Sequence, residues 1–582
     1  MFYTKDHKTG YIFDPWHYLG PKRRKLLDES WAGLFRKDIL CELPVDKLVP
    51  FFTEDFGRPT KELYAMLGAL IIQQMCDLSD EETMAQVAFN LQWHYALNIS
   101  DESDASKYLC PKTLWNMRKI VTDNELDIVL FDQTTDRLAR IFKVDTDKQR
   151  LDSLHIKSNM RRLGRIGIFV KSIHRFLVNL KRQHTEMFET VPQDLVDKYL
   201  PEKALACFSM VKPSDSERTL VSVSTDLFDL AQRFSNHSEI TSMNSYGLLL
   251  RVLKEHCNVT EASDDKPAEV LVKPSKEIPS NSLQNPSDPD AGYDGHKGQG
   301  YHIQVMETYC DEEDKDVKST KLNLITHIEV KPACESDVHA LIPALESTED
   351  RGLAPKEVLV DTLYGSDENR EAADAMGVKV ISPTMGSKES TINLSDFELS
   401  EKGKVISCPN GHAPVKIKTK KNRHSVAFDS EHCNNCPLIN DCPVNKGKKY
   451  HYLRYDDKAL RIAKRRAAEQ TPEFKERYRW RAGVEGTMSE YNARTGVKRL
   501  RVRGLKAVRF CAMLKAIGIN IFRATAVRKA VSSLMGTSER QSLGLGRVFL
   551  VFKEQFETIW GRLRNTATPF SCNHQFGLKM AA

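Results

Sequence analysis

The sequence predicts an α/β fold: a mixed sheet with flanking helices, preceded by an all-helical N-terminal domain and interrupted by a helical insertion and a small zinc-binding one. Three observations carry this. Short apolar or alternating runs follow in the order strand, strand, strand, helix, strand, strand between residues 149 and 381, with a late helix after them. Before them, apolar residues recur at three and four spacings. After them, Cys408, Cys433, Cys436 and Cys442 crowd into a segment of different composition.

The 582 residues suit about two to four domains. With 41% hydrophobic and 28% charged residues, the chain has ample core, which excludes a fibrous, collagenous or wholly disordered protein. The longest apolar candidate, Met66–Ile72, falls far short of the roughly 18–20 residues of a membrane span. The start, MFYTKDHKTG, has no apolar stretch that argues for secretion. Thirteen cysteines in such a chain point to reduced thiols or metal ligands. The expected setting is the cytoplasm, without membrane contact.

Residues 1–145 form the expected helical domain. Its helices start at Pro59-Thr60-Lys61-Glu62, Ser79-Asp80-Glu81-Glu82 and Pro111, the last rich in cations at Lys112, Arg118 and Lys119. Residues 146–398 hold the first part of the α/β domain, with strands at 149–156, Tyr301–Tyr309, Leu322–Val330, Glu357–Val360 and Val378–Ile381 and a helix at Ser336–Leu345. A helical insertion occupies about 165–285 and runs into a polar, Pro/Ser-rich linker, Glu261–Pro289. The Gly-rich Asp290–Gly300 lacks the Lys-Ser/Thr ending of a phosphate loop and reads as a turn into the second strand, with His296 and Lys297 as the alternative DNA contacts. Residues 399–449 are the cysteine-rich insertion, 450–530 a basic C-terminal part of the α/β domain, and 531–582 a tail without a readable pattern.

Charge is uneven. Between Lys446 and Ala530 stand 24 Lys and Arg against 7 Asp and Glu, a net of +17. That is too lopsided for internal pairing and marks a surface for a polyanion, nucleic acid above all.

Three carboxylates stand out. Asp361 ends the apolar run Val358-Leu359-Val360, where open α/β sheets place their ligands. Asp152 lies within the first strand. Stepping about 100° per residue puts Tyr478, Arg481, Glu485 and Asn492 on one stripe of a helix, with Arg481 one turn before Glu485, while Trp480, Val484, Met488 and Tyr491 turn inward. Two Asp and one Glu, on strands and an adjoining helix, can hold two divalent cations about 3.5–4 Å apart for phosphodiester chemistry. Oxygen-only ligands suit Mg²⁺ or Mn²⁺. The +17 block surrounds Glu485.

In the cysteine segment, Cys433-x2-Cys436 has the spacing of two ligands of a tetrahedral Zn²⁺. Cys408 and Cys442 complete the preferred set, with His412 as a substitute. The metal would be structural, stapling an insertion with few large apolar residues. Lys416, Lys418, Lys420, Lys421 and Arg423 between these ligands suggest that the flap touches DNA.

In these residues the chain resembles the DDE transposases of bacterial insertion sequences, in the branch with a Y-x2-R-x3-E-x6-K signature. Here the signature reads Tyr478, Arg481, Glu485 and then Asn492 in place of the lysine, so that Lys498 or Arg499 would take over its DNA contact. The resemblance implies a ribonuclease-H-like catalytic core with Asp152, Asp361 and Glu485 as catalytic ligands of two Mg²⁺. It also implies DNA or positioning roles for Tyr478, Arg481, Asn492, Lys498, Arg499, Arg501 and Arg503. The activity implied is excision and integration of an insertion sequence. Metal-dependent hydrolysis at the terminal inverted repeats would be followed by 3′-hydroxyl strand transfer into target DNA, by at least a homodimer on nucleoid DNA. The alternatives are an inactive DNA-binding regulator or degenerate transposase, and a metal-dependent nuclease of another type.

Overall fold

The computed structural model describes residues 2–9, 14–53, 59–201, 212–260, 269–386, 392–400 and 403–534. The tail from 535 onward and residues 261–268 of the linker lie outside the described residues.

The N-terminal helices begin where the sequence places them. Helix α1 (Leu63–Met75) is capped by Glu62, whose carboxylate accepts from the Tyr64 and Ala65 amides. Ser79 and Glu82 form a reciprocal capping box on α2 (Asp80–Phe89). Pro111 occupies the first turn of α3 (Pro111–Asp123), and α4 (Leu126–Phe142) follows.

Strand β1 (Lys148–Lys157) leads into the helical insertion, whose main helices are α5 (Arg165–Gln183), α6 (Ser216–Arg233) and α7 (Asn244–His256). These close on a core of their own around Phe169, Phe176, Leu227 and Leu249. The linker reading of Glu261–Pro289 needs correction. Residues Glu269–Val272 pair with Cys257–Thr260, and Leu283, Asn285 and Asp288 are buried. Asp288 accepts from Ser158 Oγ and Tyr301 Oη, both at 2.6 Å, and from the Gly504 amide at 3.0 Å. Its polar composition serves hydrogen bonds that tie the insertion to the sheet, and composition alone does not separate that use from solvation.

The sheet runs β3–β2–β1–β4–β5, where β2 is Gly298–Thr308, β3 Ile325–Pro332, β4 Glu357–Leu359 and β5 Lys379–Ile381. Strand β2 runs antiparallel to both β1 and β3, while β4 and β5 run parallel to β1. The Gly-rich segment before β2 is a hairpin, as read, with Gly292–Asp294 paired to Gly298–Gly300. One face, through Leu151, Met306, Val358 and Val380, is covered by α8 (Leu341–Glu349) and α9 (Asp367–Ala375). The helix expected at Ser336–Leu345 starts later because Ser336 caps a separate turn at Asp337–His339.

In the cysteine-bearing segment, β6 (Lys416–Lys420), β7 (Arg423–Asp429) and β8 (Tyr450–Asp456) make a small antiparallel sheet. Helix α10 (Asp457–Glu469) then fastens this unit to α9 of the main domain. Arg461 and Arg465 grip the buried Asp367, and Lys458 pairs with Glu368.

The opposite face of the main sheet, through Leu154, Ile156, Ile303 and Val305, is covered by α11 (Gly483–Thr495) and α12 (Leu505–Leu534), in one core with α1 and α4. Helix α12 is long and apolar enough to cross a membrane, a length the sequence reading missed, but 83% of its apolar window is buried within the protein. It is the central helix of the core. Its interior polar residues are satisfied locally: Lys515 Nζ bonds Asp77 Oδ1 at 2.7 Å, and Asn520 exchanges bonds with the backbone of Ile325 at 2.8 and 2.9 Å.

Candidate active site

Alternation along β1 points Arg150 and Asp152 toward the α11 side of the sheet. The parallel register pairs Arg150 with Leu359 at the end of β4. Two residues further along each strand direction stand Asp152 and Asp361, so adjacent chains bring two carboxylates to the same sheet edge. Burial pushes the Asp152 carboxyl above its ordinary value, and the charge of Asp361 pushes the same way, while Arg481 pulls it back. Each aspartate is fixed by the next backbone amide: Ser153 N to Asp152 at 2.9 Å, Thr362 N to Asp361 at 2.7 Å.

Glu485 enters from the first turn of α11. The single continuous helix expected through Tyr478, Arg481, Glu485 and Asn492 is broken. Tyr478 closes the helix Pro472–Tyr478, Arg481 sits in the tight turn Arg479–Ala482, and only Glu485 and Asn492 lie in α11. The break lets Arg481 turn inward. Its Nη2 meets Asp152 Oδ2 at 2.7 Å and its Nη1 meets Glu485 Oε1 at 3.4 Å. One guanidinium thus joins the first and third carboxylates. Glu485 itself is 72% exposed. Val484, Met488 and Tyr491 bury the other side of α11, as the spacing predicts. Tyr478 Oη donates to Val360 O at 3.3 Å, beside Asp361, and burial pushes its phenol up to about 12.

A buried ion network sets α11 against the sheet. Glu307, fully buried on β2, accepts from Thr487 Oγ1 at 2.8 and 2.7 Å and pairs with Arg150 and Arg523, each at 2.7 Å. Against its burial, the two guanidiniums hold the Glu307 carboxyl below the ordinary value. Arg150 Nη1 also bonds Trp480 O at 2.7 Å. Helix α11 approaches so closely that a Cβ on Gly483 would lie 2.1 Å from Arg150 Nη1. Beneath the site, on the other face of the sheet, Asp337 accepts from Ser153 Oγ at 3.0 Å and Gln304 Nε2 at 2.6 Å, and the buried Tyr364 donates to Gln304 Oε1 at 2.6 Å.

The sequence reading passed over these supporting residues. Gln304, Arg150, Glu307, Asp337 and Tyr364 belong to no motif in the sequence. An isolated Arg or Glu within an apolar strand is the only trace such a network leaves in one sequence. His155 is a packed histidine: it lies edge-on against His302, its strand partner, and burial lowers its imidazole to about 4.

The remaining site candidates divide. Asn492 is half-buried, and its Oδ1 accepts the Lys498 amide at 3.3 Å, bracing the loop after α11. Lys498 and Arg499 are exposed on that loop. Arg501 leans on Asp77 at 3.7 Å, and Arg503 bonds Asn159 Oδ1 at 3.1 Å. Cys408, Cys433, Cys436, Cys442 and His412 line one small cavity. Burial, and then the charges of the other three sulfurs, push the Cys433 thiol up to about 11. Among the described residues, no three His, Cys, Asp or Glu side chains are grouped closely enough, as they stand, to hold a metal ion.

Two family models match the chain. Residues 407–525 match one described as Transposase DDE domain, and residues 37–119 match one described as Transposase domain. The first match contains the four cysteines, Tyr478, Arg481 and Glu485; Asp152 and Asp361 lie before it. No curated protein matches the chain. An N-terminal region similar to a transposase domain and a C-terminal region similar to a transposase DDE domain thus stand in one polypeptide, which supports a DDE transposase of an insertion sequence.

Proposed function

We propose that this transposase cuts DNA at the terminal inverted repeats of its element and transfers the freed 3′-hydroxyl into target DNA, using Asp152, Asp361 and Glu485. The observation that carries the reading is the junction at one sheet edge: Asp152 on β1 and Asp361 just past the end of its parallel neighbour β4, with Arg481 reaching from Asp152 to Glu485. The strand order β3–β2–β1–β4–β5, with the glutamate helix against β1, supports a ribonuclease-H-like core of the Y-x2-R-x3-E branch.

The donor set is oxygen only, and two carboxylates that repel each other at Asp152 and Asp361 suit a divalent cation. Mg²⁺ or Mn²⁺, when bound, would activate a water or 3′-hydroxyl and stabilise the leaving oxygen. The chain's own contribution is positional. The Ser153 and Thr362 amides fix the aspartates, Tyr478 steadies the turn at Val360–Asp361, and Arg481 balances the acidic charge and holds Glu485 near. Lys498, Arg499, Arg501 and Arg503 form a cationic rim for the phosphate backbone. The N-terminal module, about residues 1–145, would read the element ends, and paired ends call for at least a dimer acting on nucleoid DNA. In the insertion, the four cysteines on one cavity are proposed as a structural Zn²⁺ site, with His412 in reserve.

The test is cleavage and joining of a labelled end duplex in Mg²⁺. Asp361→Ala and Glu485→Gln should bind that duplex within a few-fold of the parent chain and give neither nicks nor joined products. Cutting that survives both substitutions overturns the assignment. Nicking without strand transfer assigns the chain to another class of nuclease, and binding without any cleavage assigns it to a regulator.

A further inference from the structure

The small sheet β6–β7–β8 has two unlike faces. Val426, Phe428, Leu453 and Tyr455 turn inward and are buried in the insertion's own core. The register places the other face in rows: Lys416 opposite Ala427 and Tyr452, Lys418 opposite Ser425 and Arg454, Lys420 opposite Arg423 and Asp456. Side chains opposite one another share a face, as do alternate residues of one strand. Lys416, Lys418, Lys420, Arg423 and Arg454 therefore stand together, and all five are exposed.

Their charges are uncommitted. The two carboxylates of that face are helix caps: Asp456 accepts the Ala459 amide at 2.7 Å at the start of α10, and Asp429, at the far end of β7, accepts the Glu431 amide at 2.9 Å. On α10 itself, Arg461 and Arg465 are held by Asp367 and Lys458 by Glu368, which anchors the sheet to the core beside the Asp361 loop. None of the five sheet cations has an ion pair among the described residues. Like charges packed this closely cost stability unless an anion lies against them. Alternate lysines on β6 sit about 6.6 Å apart, a line of point charges suited to successive phosphates of one strand rather than to a single small anion.

We propose that the outer face of the β6–β7–β8 sheet is a sequence-independent docking surface for the phosphate backbone of duplex DNA, held at a fixed position beside the catalytic edge by the α10 ion pairs. The occupant is duplex: the aromatic rings of this face, Tyr450 and Tyr452, are half-buried, and Arg454 lies over Tyr452, so the flat cationic surface offers phosphate contacts and little base stacking. The inference takes DNA as the ligand from the reading above, and its test separates the two.

Binding of the full chain to a random-sequence duplex is followed by fluorescence anisotropy over a range of salt concentrations. The triple variant K416S/K418S/K420S should bind more weakly, and its slope of log K against log salt should be shallower by about 2 to 3, since each lost phosphate contact removes about 0.9. K416R/K418R/K420R should restore the parent slope. If the triple variant fails to fold, K418S alone should lower the slope by about 1. An unchanged slope overturns the inference, and so does a loss confined to single-stranded DNA or RNA. A chain that shows the slope change yet never cleaves DNA sinks the catalytic reading and leaves this surface standing; cleavage with an unchanged slope does the reverse.

Discussion

Arg481 Nη2 lies 2.7 Å from Asp152 Oδ2, across 329 residues of sequence, and the same guanidinium reaches Glu485 Oε1 at 3.4 Å. It neutralises an aspartate that burial and Asp361 would otherwise drive toward protonation. Removing it has a direction. With Arg481→Ala, the Asp152 carboxyl rises further, so cleavage should fall by about 10–100-fold and its acidic limb should move to higher pH. A pH–rate profile of single-turnover nicking measures this. A uniform loss with an unmoved limb would show that Arg481 serves some step other than keeping Asp152 ionised.

Gly483 faces Arg150 without room for a methyl group. A Cβ there would stand 2.1 Å from Nη1 and 2.8 Å from Cζ. A guanidinium end is normally free to swing aside, but this one is fastened to Glu307 and to Trp480 O. Gly483→Ala should cost about 1–3 kcal/mol in urea unfolding and displace Glu485 enough to lower cleavage. Parent-like stability and activity would mean that α11 is not held at this closeness.

Glu307 balances two guanidiniums inside the core. Glu307→Gln leaves Arg150 and Arg523 buried without their shared anion and should destabilise the chain by about 3–5 kcal/mol. Chemical denaturation gives the value directly. A change below about 1 kcal/mol would indicate that water enters the network and screens it.

For the cysteine cavity, elemental analysis of the purified chain should find one zinc per polypeptide, and Cys433→Ser or Cys436→Ser should lower it. A strong chelator should lower the melting temperature of the insertion while the main-sheet transition holds. Metal-free chain with unaltered melting would return the four residues to ordinary thiols.

Burial lowers the imidazoles of His155 and His256 to about 4 and of His327 to about 3. An unfolded histidine near 6.5 takes up a proton that the folded one refuses, so stability is full above about 6.5 and declines as the pH falls toward 4. The denaturation midpoint should therefore drop between pH 7 and pH 5. A midpoint that rises over that range would show that protonation of buried carboxylates such as Asp132 and Asp152 outweighs the histidines.

Local physics wrote the elements into the sequence. Glu62, the Ser79–Glu82 box and Pro111 mark helix starts because capping is settled within a few residues, and the five sheet strands follow from runs of apolar residues of the right length. Asp361 could be singled out because an acid directly after a buried strand is conspicuous, and Glu485 because its basic surroundings are. Tertiary structure decided the rest. The turn at Arg479–Ala482 that aims Arg481 at Asp152, the Arg150–Glu307–Arg523 network and the burial of α12 depend on partners from 157 to 438 positions distant. A pattern of spacing carries no information about such partners, because the energy of a buried charge is set by what the fold packs against it.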